Sequence, residues 1–240
     1  MLIDLHAHSS GISICCKADV PTMVREAKKV GLDGIVLTNH YCKQYIGDTE
    51  LQEYVGRYMA EYRYAAEYAE KEGIRCFFGI EVTLELHDRL HFLLYGVGEN
   101  FLYSHPTMFD YTLAELYALV KKENAMLVQA HPHRKKKQLQ DVSFMDGIEI
   151  SCHPKYESTH LQELAQIAAK SGKILTCGGD YHADTPYRPC CGVYLPDELR
   201  DAKEIAAYLM DARSVRMMVQ ETDGSAPVSV TFARGIGLRE

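Results

Sequence analysis

The sequence predicts an α/β fold organised on a parallel sheet, open or closed into a barrel. Short apolar runs alternate with stretches of helical period along most of the chain. Several of those runs break off at His, Asp or Glu, so ligand-type side chains follow strands instead of preceding them. The 240 residues, 47% of them hydrophobic, can fill one sizeable core within the range of a single α/β barrel domain.

The elements follow in order. Leu2 to Leu5 reads as the first strand and runs into His6-Ala7-His8. Asp19-Val20-Pro21 signals a helix start, with Asp19 or Thr22 as cap; Met23, Ala27 and Val30 mark one face, and Gly31 ends it. Gly34 to Thr38 is a buried strand leading to Asn39-His40. A long helix covers Glu50 to Glu72 with a Tyr stripe read as packing, and Gly73 closes it. Ile74 to Leu84 is a strand whose hairpin return is Arg89 to Tyr95. Leu113 to Glu123 is helical, and Ala125 to Gln129 is a strand leading to His131. Asp146 to Ile150 leads to His153, Leu161 to Ser171 is a helix, and Ile174 to Cys177 leads to Asp180 and His182. Pro196 is expected to open a helix over Asp197 to Arg213, and the tail adds short strands at Ser214–Gln220 and Val228–Phe232. Without repeats or linkers, residues 1–240 read as one domain.

A net charge of −7 argues against a nucleic-acid surface. The basic run Arg134-Lys135-Lys136-Lys137 is either a solvated face or an attractor for a small anion. Eight Cys without a Cys-x-x-Cys, no leader and no membrane-length apolar run predict a cytoplasmic protein with reduced thiols and no membrane partner. The oligomeric state is left open.

His-x-His on a strand directs both imidazoles to one side, and Asp180 and His182 do the same if their segment stays extended. Taken singly, His40 or His91 is more often a packing residue. The joint placement of His6, His8, His40, His131, Asp180 and His182 after strands, with Glu81 at the end of one and His91 opening the hairpin return, reverses that reading. Imidazoles with carboxylates suit Zn, Fe or Mn, and this many candidate ligands calls for two or three divalent ions. His87, His105 and His160 lack the placement and read as ordinary surface or packing residues.

His6-Ala7-His8, Thr38-Asn39-His40, Gly79-Ile80-Glu81-Val82, His91 to Gly96, Ala130-His131-Pro132 and Gly179-Asp180-Tyr181-His182 occur in that order. Together they resemble the PHP family (polymerase and histidinol phosphatase domain), from residue 2 to about residue 194. The resemblance implies a distorted, TIM-like (β/α)7 barrel with a two- or three-metal site at the C-terminal rim of the strands, used to hydrolyse phosphoesters. It implies His6, His8, Glu81 and Asp180 around one ion, with Glu81 bridging to a second held by His91 and His131. A third would lie between His40 and His182. Many members complete that third site with Asp or His in the loop after His-x-His. Here Ser9 to Lys17 has neither, so Cys16 or Cys15 is the candidate thiolate, Cys16 being preferred.

The expected nucleophile is a hydroxide bridging two ions, with Glu81, Asp180 and His182 as the catalytic set. Arg134, Arg188 and His153, with Lys155, are the residues expected around a small phosphorylated substrate, histidinol phosphate being one candidate. A phosphodiesterase or exonuclease is the alternative enzyme. An amidohydrolase-like hydrolase expects a bridging, modified Lys at a strand end, and none stands there. A metal-binding regulatory module without turnover is the non-enzyme alternative.

Overall fold

The computed structural model describes residues 1–87, 89–136 and 138–239, so Lys137 of the basic run lies outside the described residues. Its elements run β1 (Leu2–Ala7), α1 (Val20–Lys29), β2 (Gly34–Leu37), β3 (His40–Tyr41), α2 (Lys43–Ile46), α3 (Leu51–Glu72), β4 (Arg75–Leu84) and β5 (Leu90–Tyr95). There follow α4 (Phe101–Ser104), α5 (Leu113–Lys122), β6 (Met126–Gln129), β7 (Gly147–Ser151), α6 (Leu161–Ser171) and β8 (Ile174–Gly178). The chain ends with β9 (Gly192–Tyr194), α7 (Ala202–Asp211), β10 (Ser214–Val219), β11 (Val228–Ala233) and β12 (Gly237–Arg239).

The strands form one path, β12-β11-β10-β9-β1-β2-β4-β5-β6-β7-β8, with β3 pairing β4 off it. β1–β2, β2–β4, β6–β7 and β7–β8 are parallel. The β4–β5 hairpin and the β5–β6 pair are antiparallel. The sheet curls until Ala7 bridges Tyr181, which brings the segment after β8 back to β1. β9 to β12 extend the sheet beyond this seam as an antiparallel arm. The fold is therefore mixed α/β on a curled, barrel-like sheet.

Local chemistry explains most boundaries. The Asp19 carboxylate accepts from the Thr22 N–H at 2.9 Å and caps α1. Val20, Met23, Val24 and Ala27 then bury one face of that helix in a cluster with Leu2, Ile35 and Leu37. Gly73, at φ 77°, gives α3 its left-handed C-cap. The helix expected from Asp197 begins instead at Ala202. The Asp201 carboxylate caps the Glu204 N–H at 2.9 Å, while Glu204 takes the Arg200 N–H at 2.7 Å. Leu195 is still bonded to the Met1 carbonyl, which keeps the chain extended past β9. Two-residue β3 and three-residue β9 and β12 are too short to carry a period in sequence.

Cys152 and Cys177 pack in the core with Sγ atoms 3.7 Å apart, and Cys191 joins them. Cys191 is thus buried, whereas its neighbour Cys190 is half-buried. Among the described residues, no helix is long and apolar enough to cross a membrane.

Candidate metal centre

Strand geometry brings the ligand-type residues together. His6 lies on β1 and His8 just past it, with ring centroids 5.0 Å apart on one side of the strand. Glu81 lies within β4. Its neighbour Thr83 pairs with His91 across the hairpin, so Glu81 and His91 share a face. His40 opens β3 opposite Glu81. His131 and Asp180 follow β6 and β8, both with left-handed backbone (φ 31° and 46°). Such conformations are costly for non-glycine residues and gather at functional sites. Asp180 and His182 therefore converge through a kink, and not along an extended strand, with Asp180 Oδ1 3.3 Å from His182 Nδ1. Gly178 permits the close approach: a Cβ there would lie 2.5 Å from His6 Cβ and 2.9 Å from Glu149 Oε1.

Glu81 is the centre. Its Oε1 lies 2.8 Å from His91 Nδ1, 2.9 Å from His131 Nε2 and 3.5 Å from His6 Nε2. Its Oε2 lies 2.6 Å from His40 Nδ1 and 3.4 Å from His8 Nε2. Asp180 Oδ1 lies 3.1 Å from His8 Nε2 and 3.3 Å from His6 Nε2. Within this crowd, His6 Nε2 and Glu81 Oε2 are buried without a well-formed hydrogen bond. Buried polar atoms are normally satisfied, so a nitrogen and a carboxylate oxygen left without partners in one crowd of ligand-type groups fit a cation there. Among the described residues, four sets of ligand atoms in this centre fall within 4.8 Å of one another: His6–Glu81–His131–Asp180, His40–Glu81–His91, His8–His40–His182 and His153–Asp180–His182. Mixed nitrogen and carboxylate donors of this kind suit borderline divalent ions.

Charge is distributed to match. Burial disfavours ionised Glu81, but His40, His91 and His6 outweigh it and hold the carboxyl well below its usual range. Asp180 is buried too, and His6, His182 and His8 likewise keep it ionised. His6 is pulled down by burial yet held well above its ordinary value by Glu149, Asp180 and Glu81. Burial acts on His40 in the same sense, but Glu81 and Cys15 raise it to about 10. Burial dominates at His131, which falls to about 4, and at His8, where His182 and His40 add to the decrease.

Several contributors have no motif of their own. Glu149 on β7 accepts from His6 Nδ1 at 2.7 Å through Oε1 and from the His131 N–H at 2.7 Å through Oε2. It orients one imidazole and one loop, as a carboxylate behind a metal-ligating histidine does. Asp4 accepts the N–H groups of His6 and Gly179 at 3.0 and 2.9 Å. Both carboxylates interrupt apolar strands, which is the sequence signal that finds them. Tyr156 gives no such signal; its hydroxyl bonds Asp180 Oδ2 and lies 3.1 Å from Arg134 Nη1.

The residues expected around substrate divide. Arg134, His153 and Lys155 line one cavity with Cys15, His40, His91, Asp180 and His182. Arg188 does not reach it. Its guanidinium is fully buried against Asp4 Oδ2 at 2.6 Å and lies 4.2 Å from the Tyr181 ring centre, because the loop after His182 folds back across β1. Cys16 is also displaced from its expected place. Its thiol points to the carbonyl oxygens of His8 (3.3 Å) and Ala18 (3.6 Å), and burial pushes it up to about 12. Cys15 takes the cavity position instead. His87 caps α5 by accepting the Leu113 N–H at 2.9 Å, away from the cluster.

Comparison with known proteins agrees with this picture. Solved structures of similar fold include a two-domain protein from Bacteroides vulgatus containing a predicted PHP-like metal-dependent phosphoesterase. It is 21% identical with a TM-score of 0.67, and the match covers 92% of this chain and 65% of that one. This chain thus spans about two thirds of that protein's length. PsfC from Pseudomonas syringae is 17% identical with a TM-score of 0.61, and 91% of each chain is covered. An amidohydrolase from Chromobacterium violaceum, with bound sulfate and no metal, is 16% identical with a TM-score of 0.54, covering 84% of this chain and 94% of that one. At these identities the likeness is one of fold. No curated protein matches the chain. The profile of the PHP domain matches residues 4–212, from β1 to the end of α7, and so takes in every member of the Glu81 cluster: the chain belongs to the PHP domain family.

Proposed function

We propose that this protein is a metal-dependent phosphoesterase acting on a small phosphomonoester. The observation that carries the reading is the convergence of Glu81, Asp180 and six imidazoles beside one cavity of about 330 Å³, with His6 Nε2 and Glu81 Oε2 left without well-formed hydrogen bonds. His6, His8, His40, Glu81, His91, His131, Asp180 and His182 would hold two or three ions of the Zn, Fe or Mn class. Bound there, such ions lower the pKa of water toward neutrality and neutralise charge on phosphoryl oxygens.

The chain's own residues supply the rest. Arg134 faces the cavity, its guanidinium 5.3 Å from the Tyr156 ring centre and 4.0 Å from Asp180 Oδ2. Its planar fork suits two phosphoryl oxygens at once. Lys155 and His153 stand across the cavity, both against Asp184, at 2.6 and 3.4 Å. Asp180, kept ionised, accepts from Tyr156 and is set to orient a water that protonates the leaving alkoxide. The cavity lies at the small end of small-molecule sites, which supports a compact ester over a polymer.

The test is a panel of phosphomonoesters, headed by histidinol phosphate, with single-stranded DNA as the polymer arm. Protein stripped of metal is reloaded separately with Zn, Fe or Mn. Metal-dependent phosphate release is expected from one or more monoesters. His131→Ala and Asp180→Asn should lower it by about 10²-fold or more, and Arg134→Met should raise KM. Full metal-dependent activity in either of the first two variants overturns the site. Hydrolysis of DNA alone overturns the substrate class.

A further inference from the structure

Three thiols meet in the core at the seam where the antiparallel arm leaves the barrel. Cys152 directly follows β7, Cys177 lies on β8 and Cys191 directly precedes β9. They are 1%, 0% and 0% exposed, and their Sγ atoms lie within 4.8 Å of one another. None of the three lines the cavity beside Glu81. Backbone contacts fix the meeting. The Cys152 N–H bonds the Gly178 carbonyl at 2.9 Å, which sets the end of β7 beside Cys177. The Cys177 thiol donates to the Met218 carbonyl at 3.3 Å, and Met218 on β10 pairs with Gly192, the residue after Cys191. Gly192, at φ 151°, lies so close to β1 that a Cβ there would stand 2.2 Å from the Ile3 carbonyl oxygen, so Cys191 is held where it is.

A buried cysteine used as a small apolar side chain has no reason to face another. Three sulfurs from three separate segments make instead one side of a coordination shell. Sulfurs bound to one ion at about 2.3 Å stand about 3.8 Å apart in a tetrahedron and about 4.0 Å apart in a trigonal plane. Cys152 Sγ and Cys177 Sγ stand 3.7 Å apart, and Cys191 Sγ is within 4.8 Å of both, so a small inward turn of Cys191 completes the shell. All three donors are soft, unlike the nitrogen and carboxylate donors around Glu81. Soft donors select copper(I) or zinc over manganese, magnesium or calcium. A structural zinc site takes four protein ligands. Copper(I), monovalent and with a filled d shell, is satisfied by three sulfurs in a plane.

We propose that Cys152, Cys177 and Cys191 form a three-sulfur site for copper(I), separate from the Glu81 centre. Binding displaces thiol protons to solvent, and the ion ties the end of β7 and β8 to the start of β9, so its binding energy adds to folding. Cys190, half-buried and adjacent to Cys191, brings the site within one residue of the surface. The inference does not depend on the phosphoesterase reading.

The test starts from protein loaded with manganese, which avoids thiolates. It is titrated without oxygen against copper(I) buffered by bicinchoninate. Elemental analysis gives bound copper per chain, copper X-ray absorption counts the sulfur neighbours, and thermal unfolding is followed alongside. The wild type is expected to hold one equivalent with three sulfur neighbours and to unfold at a higher temperature than without copper. Cys177→Ala and Cys191→Ala should each lose the equivalent and the rise in unfolding temperature. Cys76→Ala, on β4, should keep both, and so should His131→Ala, which alters the Glu81 centre.

Wild type that takes up no copper, or whose copper has fewer than three sulfur neighbours, overturns the site, and this result requires no variant to fold. A folded Cys191→Ala protein that keeps the three-sulfur signal overturns the ligand assignment. Copper lost from His131→Ala but kept by Cys177→Ala places the ion at the Glu81 centre and overturns the proposal as well.

Discussion

Replacing Glu149 with Gln is expected to weaken zinc binding about 10–100-fold while leaving the chain folded. The carboxylate accepts two N–H groups, one from His6 Nδ1 and one from the His131 backbone, each at 2.7 Å. The amide has the same shape but only one acceptor. If its NH₂ faces His6, the ring moves its proton to Nε2, the atom that lies 3.3 Å from Asp180 and 3.5 Å from Glu81. The lone pair needed for a metal is then lost. If the NH₂ faces His131, a buried backbone donor is stranded at a cost of about 1–3 kcal/mol. The 10–100-fold loss corresponds to about 1.4–2.8 kcal/mol, so the two routes agree in size. The assay is competition for zinc against a chromophoric chelator, with thermal unfolding of the metal-free proteins alongside. A folded Glu149→Gln protein that binds zinc as tightly as the wild type refutes the reasoning.

Two further outcomes can be measured. Arg188→Met leaves Asp4 buried without its partner, so stability should fall by about 3–5 kcal/mol in a denaturant titration. KM should stay unchanged, because Arg188 lies outside the cavity. Metal loading near pH 7 should release protons. His6 and His40 sit above their ordinary values in the metal-free protein, His40 at about 10, and must give up those protons to bind an ion. The release should fade as the starting pH rises from 7 toward 10, and an indicator dye in weak buffer that shows none would count against this protonation pattern.

What the sequence determines by itself is periodic and local. Alternating apolar runs place the strands, and Asp19 and Gly73 mark helix ends within one turn of where they act. The ordered His, Asp and Glu endings identify the family, because a side chain's position after a strand fixes which rim it can reach. Asp201 shows the limit even locally: its cap set the start of α7, which Pro196 alone did not reveal.

Only the tertiary structure decided which of those groups meet. Cys15 and Cys16 are adjacent and chemically alike, yet the bond from Lys17 to His182 turns one thiol to the cavity and the other to a carbonyl. Arg188 follows the His182 motif but pairs with Asp4, 184 residues away. Glu149 supports His6 across 143 residues. No period or spacing encodes such partners. They depend on the curl of the sheet that brings the segment after β8 alongside β1, on the edge away from β2, and that curl is a property of all the strands together.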